Sequence, residues 1–430
     1  MKLYKYLDRS EWSGILSRPA LDTQMVKDAV ASVLHDVRQH GDAALFRLEE
    51  KFDHVKLDRL LVSEDEFSAA KESVDSDLYE SLQKAHGNIS RFHASQRHAV
   101  ERVETCPGVQ CWQKNIGIEK VGLYIPGGTA PLFSTVLMLA IPARLAGCKE
   151  IVLCTPPDRE GRIHPAILCA AHLAGVHKIF KLGGSQAIAA MAFGTESVPK
   201  VYKIFGPGNR FVMEAKQQVS LMGTAIDMPA GPSEVCVLAD ENSCAPFVAA
   251  DLLSQAEHGI DSQVVLVSTS ASKIQEVEVE IARQLPLLPR QDIARQSLSN
   301  SIAILAADKR EAMDICNEYA PEHLILSTPD SDELAELVVN AGSVFLGSWS
   351  CESAGDYASG TNHTLPTHGY ARAYSGLNLD SFCRKVTFQK LSEEGVLSIG
   401  PAVSTMAGHE QLAAHQQAML LRLKAINSKS

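Results

Sequence analysis

Apolar positions recur every three to four residues over residues 26–48 and again over 66–97, where Leu78, Leu82 and Ile89 share one face. That period predicts amphipathic helices. The first ends near Gly41 and resumes through 42–51. Residues 1–120 thus read as mainly helical, with evenly mixed charge, and His86, His93 and His98 read as solvated helix residues. From Val121 the rhythm becomes strand, glycine turn, helix. Strands are expected at 121–125, 151–154, 178–182 and 201–205, and helices at 132–146, 165–174, 187–193 and 211–219. A second run follows, with strands at 235–238, 263–268, 301–305, 324–327 and 343–346. Its helices are 247–257, 272–284, 309–319 and 333–341, and a last helical segment spans 410–426. Strands that are apolar throughout, alternating with helices, specify α/β domains with parallel sheets covered on both faces.

Such sheets bind ligands beyond the carboxyl ends of their strands. The turns Pro126-Gly127-Gly128, Gly183-Gly184-Ser185-Gln186 and Gly206-Pro207-Gly208-Asn209 each open a helix there. Glycine is ordinary turn chemistry, yet three such turns together suit a nucleotide whose phosphates meet backbone N–H groups. No Gly-x-Gly-x-x-Gly of the usual dinucleotide type is present.

One stretch has no period at all. Residues 347–366 read as a long loop, and Trp349, Cys351 and Tyr357 are not the composition of a solvated tail. The segment 342–368 also carries Glu352, Asp356, His363 and His368; Asp356 and His363 suit a metal ligand and a proton carrier, or else simple turn capping.

The totals narrow the class. At 430 residues two or more domains are expected, and 45% hydrophobic with 21% charged residues is a globular composition. A net charge of −11 argues against nucleic acid or an anionic membrane as partner. The N-terminal MKLYKYLDRSEW lacks a signal-peptide core, and the apolar run 131–147 is broken by Ser134, Thr135, Pro142 and Arg144, so it reads as a core helix. Ten scattered cysteines without a Cys-x-x-Cys fit a reducing, cytoplasmic setting and no thiolate zinc site.

Four constellations could carry chemistry. Gln255 and His258, three apart, share a face at a helix C-terminus; His258 could equally meet the helix dipole, and Glu257 points to solvent. Pro321 ends a helix and puts Glu322 and His323 at the sheet edge where ligands bind, as bases or as a cap beside an exposed histidine. Ser233, in Gly231-Pro232-Ser233-Glu234, holds a polar group or forms the turn. Glu410 and His415 on the last helix lie roughly 140° apart, so one stripe cannot present both, and that helix is a candidate to cross to a second subunit or a solvated surface.

The motifs YIPGG (124–128), GGSQA (183–187), FGPGN (205–209), PAGPSE (229–234), LLSQAEHG (252–259), PEHL (321–324) and ESAGDYASGTNH (352–363), in this order, resemble the histidinol dehydrogenase family. The resemblance implies an aldehyde-dehydrogenase-like fold of two Rossmann-like α/β/α domains. Residues 1–20 would be an N-terminal segment, 21–123 and 236–376 a larger domain, 124–235 an inserted NAD-binding domain, and 377–430 a dimerisation segment. It implies oxidation of L-histidinol to L-histidine by two hydride transfers to NAD⁺ through an unreleased aldehyde, in a homodimer with shared active sites. One Zn²⁺ per subunit is implied at Gln255, His258, Asp356 and His415, the last from the partner subunit. His323 is implied as the base toward the hydroxyl, and Glu322 as the group that activates water. Substrate contacts are implied at Ser233, Gln255, His258, His323, Asp356, His363, Glu410 and His415, and NAD⁺ contacts at Tyr124, Gln186 and Asn209.

Two other chemistries compete on the residues alone. A covalent route needs a nucleophilic cysteine, and of Cys148, Cys154, Cys236 and Cys351 only Cys351 lies in the polar loop. A zinc hydrolase would use Glu322 on water, with the glycine turns binding a substrate phosphate.

Overall fold

The computed structural model describes residues 1–18, 24–127, 130–229 and 231–429. Gly128 of the first glycine turn, Ala230 of the PAGPSE motif and the 20/21 boundary lie outside them. The described residues form two compact units, 1–95 with 118–382, and 96–117 with 383–430.

The first unit is built on two all-parallel sheets. One runs Lys178–Lys181, Glu150–Thr155, Lys120–Tyr124, Lys203–Phe205, Ala225–Ile226. The other runs Lys2–Lys5, Ile302–Leu305, Gln263–Ser268, Glu234–Ala239, His323–Ser327, Ser343–Leu346. Apart from the extra edge strand Lys2–Lys5, both follow the order 3-2-1-4-5, counted along each run. In that order the chain reverses direction across the sheet between its first and fourth strands. The strands of Glu234–Ala239 and Gln263–Ser268 are buried throughout, as a sheet covered on both faces requires.

Most helices fall where the apolar period places them. Gln24–Phe52 is broken at Gly41 as expected, where φ is 51° and ψ −133°. Others differ. The segment expected at 66–97 is two helices, Glu64–Ser73 and Ser76–Ser95, because Ser63 caps the first with its hydroxyl and Val74 is extended. The helix expected at 333–341 is only Ser331–Ala335. The aperiodic loop contains a short helix, Glu352–Tyr357, which six residues are too few to reveal as a period. Residues 1–120 also supply strands, Lys2–Lys5 among them.

The second unit has an antiparallel sheet, Cys383–Leu391, Val109–Gly117, Arg102–Cys106, and the helices Glu393–His409 and Ala413–Asn427. The expected single helix 410–426 is therefore wrong. Glu410 closes one helix, Gln411 takes φ 59°, and His415 stands on the next. Glu410 and His415 therefore share no helix, and no angle around a common axis relates them. Among the described residues no helix is long and apolar enough to cross a membrane.

Candidate functional site

Parallel topology brings two different edges into play. Helices follow strands at the carboxyl edge and end before strands at the amino edge. The glycine turns lie at the carboxyl edge of the first sheet, as expected. Around them opens a cavity of about 970 Å³ whose lining includes Tyr124, Gly127, Asp158, Arg162, Gln186 and Asn209. The turn amides themselves are taken. Gly183 N–H donates to Glu49 Oε1 (3.1 Å), Gly184 N–H to Tyr124 Oη (3.0 Å) and Gly206 N–H to Asp227 Oδ2 (2.8 Å). Asn209 Oδ1 accepts from Phe211 and Val212 N–H, capping the helix Arg210–Leu221. Protein oxygens thus meet the N–H groups of Gly183, Gly184 and Gly206.

Gln186 is buried and faces inward, donating through Nε2 to Glu49 Oε1 (2.9 Å) and Asp53 Oδ2 (3.4 Å). Burial, and then the charge of Asp53, push the Glu49 carboxyl up to about 8.

Glu322 and His323 sit at the start of the strand His323–Ser327, level with Glu234 at the start of its neighbour. They occupy the amino edge of the second sheet. The expectation that they reach the usual ligand edge is wrong, because the helix Lys309–Tyr319 ends just before them. Ala320 makes the turn at φ 51°, a left-handed conformation uncommon outside glycine. Both residues are buried, against the reading of an exposed histidine beside a cap. Glu234 N–H donates to Glu322 Oε2 (3.0 Å), and Glu234 is itself held by a bidentate pair with Arg18 at 2.8 and 2.9 Å. Arg18 also lies over the Tyr319 ring, 3.9 Å from its centroid. This Arg18–Glu234 anchor gives no periodic signal in the sequence.

Other groups converge on the same edge. Gln255, buried in the last turn of Ala245–Ala256, has Nε2 3.4 Å from Glu322 Oε2 and 3.2 Å from His323 Nδ1. His323 Nε2 lies 3.5 Å from Asp356 Oδ1. His258 stands at the rim, open to solvent on one side while surrounding protein lowers its pKa. Glu352 and Asp356 occupy one face of their short helix, four residues apart. Burial alone would lower the His323 pKa, but Glu352, Glu322 and Asp356 outweigh it and hold it up at about 10. Burial raises Glu322 and Glu352 to about 8, against the pull of His323. For Asp356 the histidines, His323 foremost, overcome burial and lower the pKa.

The loop beyond is fixed by its own polar groups. His363 donates through Nδ1 to the Asp356 carbonyl (2.9 Å), and its Nε2 lies 3.1 Å from Thr135 Oγ1. Asn362 donates to Met138 O (2.6 Å) and to Nε2 of His93 (3.3 Å). His93 is thus fully buried, not solvated; His86 is half-buried, and His98 lies past the helix end. Trp349 and Tyr357 are exposed, so the loop owes its order to hydrogen bonds and not to aromatic burial. Ser233 and His368 line a small depression beside Arg18. Glu410 and His415 belong to the second unit, where both are exposed.

The donor set fits a divalent cation. Ligand atoms of His258, Glu352 and Asp356 lie within 4.8 Å of one another. Glu352 Oε2, Asp356 Oδ1 and His323 Nε2 are buried without a hydrogen-bond partner. Nitrogen and oxygen donors without thiolate suit zinc or a harder metal. Glu352 is absent from the ligand set that the motifs imply.

A family model described as histidinol dehydrogenase matches residues 16–423. The chain belongs to the histidinol dehydrogenase family. The histidinol dehydrogenase of Bacteroides fragilis (strain YCH46) is 60% identical over 426 residues, covering 99% of this chain and all of that one. That of Yersinia pestis is 50% identical over 428 residues, covering 99% and 96%. A crystal structure of histidinol dehydrogenase from Elizabethkingia anophelis superposes with a TM-score of 0.98 at 51% identity, covering 99% of each chain. Histidinol dehydrogenases are oxidoreductases, so the family settles the enzyme class and leaves the roles of the edge residues to their geometry.

Proposed function

We propose that the protein oxidises L-histidinol to L-histidine in two NAD⁺-dependent steps at the amino edge of the second sheet. The observation that carries this is the buried Glu322–His323 pair, with Gln255, Asp356 and His258 gathered before it. In the first step His323, in its neutral form, takes the hydroxyl proton as hydride leaves the carbinol carbon for NAD⁺, giving the aldehyde and NADH. Glu322, in its ionised form, then takes a proton from water as it adds to the aldehyde. The hydrate loses a second hydride to NAD⁺ with His323 again as base, leaving the carboxylate. Each histidinol consumes one water and two NAD⁺.

Gln255, His258, Asp356 and the partner subunit's His415 would hold a zinc ion, which would supply a positive centre for the substrate's imidazole and amine. Gln255 Nε2 lies 3.2 Å from His323 Nδ1 and Asp356 Oδ1 lies 3.5 Å from His323 Nε2, so both side chains orient the imidazole. Ser233, His363 and Glu410 contact the substrate.

NAD⁺ occupies the cavity at Tyr124, Gln186 and Asn209, within an inserted domain of residues 124–235. The larger domain is 21–123 with 236–376, and residues 377–430 dimerise in the cytoplasm. The second unit supports a partner by leaving Met406, Leu420 and Leu421 exposed beside Glu410 and His415.

The test is direct. Protein reconstituted with Zn²⁺ is given histidinol and NAD⁺, and two NADH per histidinol are expected, with activity lost on chelation and regained with Zn²⁺. No NADH sinks the reading. Mixing His415→Ala with Glu322→Gln subunits is expected to restore activity to hybrid dimers; no recovery counts against a shared site.

A further inference from the structure

We propose that Glu352 is itself a ligand of the bound cation, so that one protomer alone supplies a three-donor site of His258, Glu352 and Asp356. This rests on the reading that a divalent metal occupies the amino edge. Glu352 is 2% exposed, and its Oε2 has no hydrogen-bond partner. A buried carboxylate in that state is costly unless a positive charge meets it. The charge of His323 attracts it without a hydrogen bond. His323 Nδ1 faces Gln255 and Glu322, and its Nε2 faces Asp356. What does lie near are ligand atoms of His258 and Asp356, all within 4.8 Å of one another.

The backbone holds this geometry. Glu352 and Asp356 project from one face of a helix that cannot roll, because Gly355 packs on Phe345. A Cβ there would come 2.7 Å from the Phe345 ring. Two carboxylates and a neutral imidazole balance a dication; the set with Gln255 and His415 of the partner subunit carries only one carboxylate. Glu352 therefore lets a protomer hold the metal before the partner's His415 and the substrate complete its coordination.

The experiment titrates Zn²⁺ into chelator-stripped full-length dimer against a chromophoric chelator, for wild type, Glu352→Gln and Asp356→Asn. Expected is at least about tenfold weaker binding in Glu352→Gln, on the scale of Asp356→Asn. Affinity within twofold of wild type in Glu352→Gln, while Asp356→Asn falls, overturns the inference and spares the metal reading. Unchanged affinity in both overturns the two together. Should Glu352→Gln fail to fold, Glu352→Asp decides, since it keeps the charge and withdraws the oxygen by one methylene: weaker binding supports the assignment, unchanged binding ends it.

Discussion

The two parallel sheets share the strand order 3-2-1-4-5, yet their candidate sites lie at opposite ends. At the carboxyl edge of the first sheet, helices begin. Several of their amides are held by Glu49, Tyr124, Asp227 and the Asn209 cap, beside a wide cavity. At the amino edge of the second sheet, helices end. Ala245–Ala256 and Lys309–Tyr319 turn their carbonyl termini toward Glu322, His323 and Gln255. Helix C-termini carry partial negative charge and favour cations. One edge therefore suits a large ligand recognised by shape, and the other suits a cation and proton transfer.

The hardest test of that division removes the proposed base. His323→Ala is expected to lower turnover about 10³-fold, within the range for a positioned general base, and to leave NAD⁺ affinity unchanged. Fluorescence titration of NAD⁺ beside steady-state rates checks both halves. A matching loss of NAD⁺ affinity would merge the two edges into one site.

Glu322→Gln sharpens the chemical edge. The carboxylate is placed by the Glu234 N–H and is proposed to act on water alone. The aldehyde half-reaction should slow about 10²-fold and the alcohol half-reaction far less. Stopped-flow NADH traces from histidinol and from histidinaldehyde separate them; equal effects on both remove the water-activating role.

A smaller effect probes the carboxyl edge. Glu49 has a carboxyl raised from 4.5 to about 8 in the fold. The folded state therefore holds a proton that the unfolded chain has lost. Its stabilising contribution is complete below about pH 4.5 and is lost as pH rises through about 8. Glu49→Gln keeps an acceptor for Gly183 N–H and removes the titration. Melting temperatures at pH 5, 6.5 and 8 should fall less steeply in the variant, by a few degrees over the window. An unchanged slope means Glu49 ionises normally.

The sequence carried the apolar strands, the helices and the glycine turns, because burial and turn chemistry write themselves at short range. It also placed Glu322–His323 and Gln255–His258 at element ends. The edge that Glu322 and His323 face is not legible, since the usual rule for parallel sheets names the other one. Long-range partners were illegible: Arg18 to Glu234 spans 216 residues, and His93 to Asn362 spans 269. Glu352 was visible as a polar loop residue, but its burial depends on a helix of six residues packed through Gly355, which no period announces.

The smallest expected effect concerns Cys351, which stands at the N-cap of that short helix without a capping side-chain bond. A covalent dehydrogenase mechanism would place a thiolate at the chemical edge, and thiolates form where positive charge or a helix N-terminus lowers the pKa. Instead burial pushes the Cys154 thiol up, and the hydrogen bond with Cys316, followed by burial, pushes the Cys236 thiol up. The groups converging on His323 are carboxylates and an amide, none of them a thiol. Cys351→Ala should therefore keep turnover within about twofold, as side-chain truncations away from reacting atoms do. A loss near 10³-fold, or a burst of NADH in wild type that the variant abolishes, would move the chemistry onto sulfur and undo the division of labour between the edges.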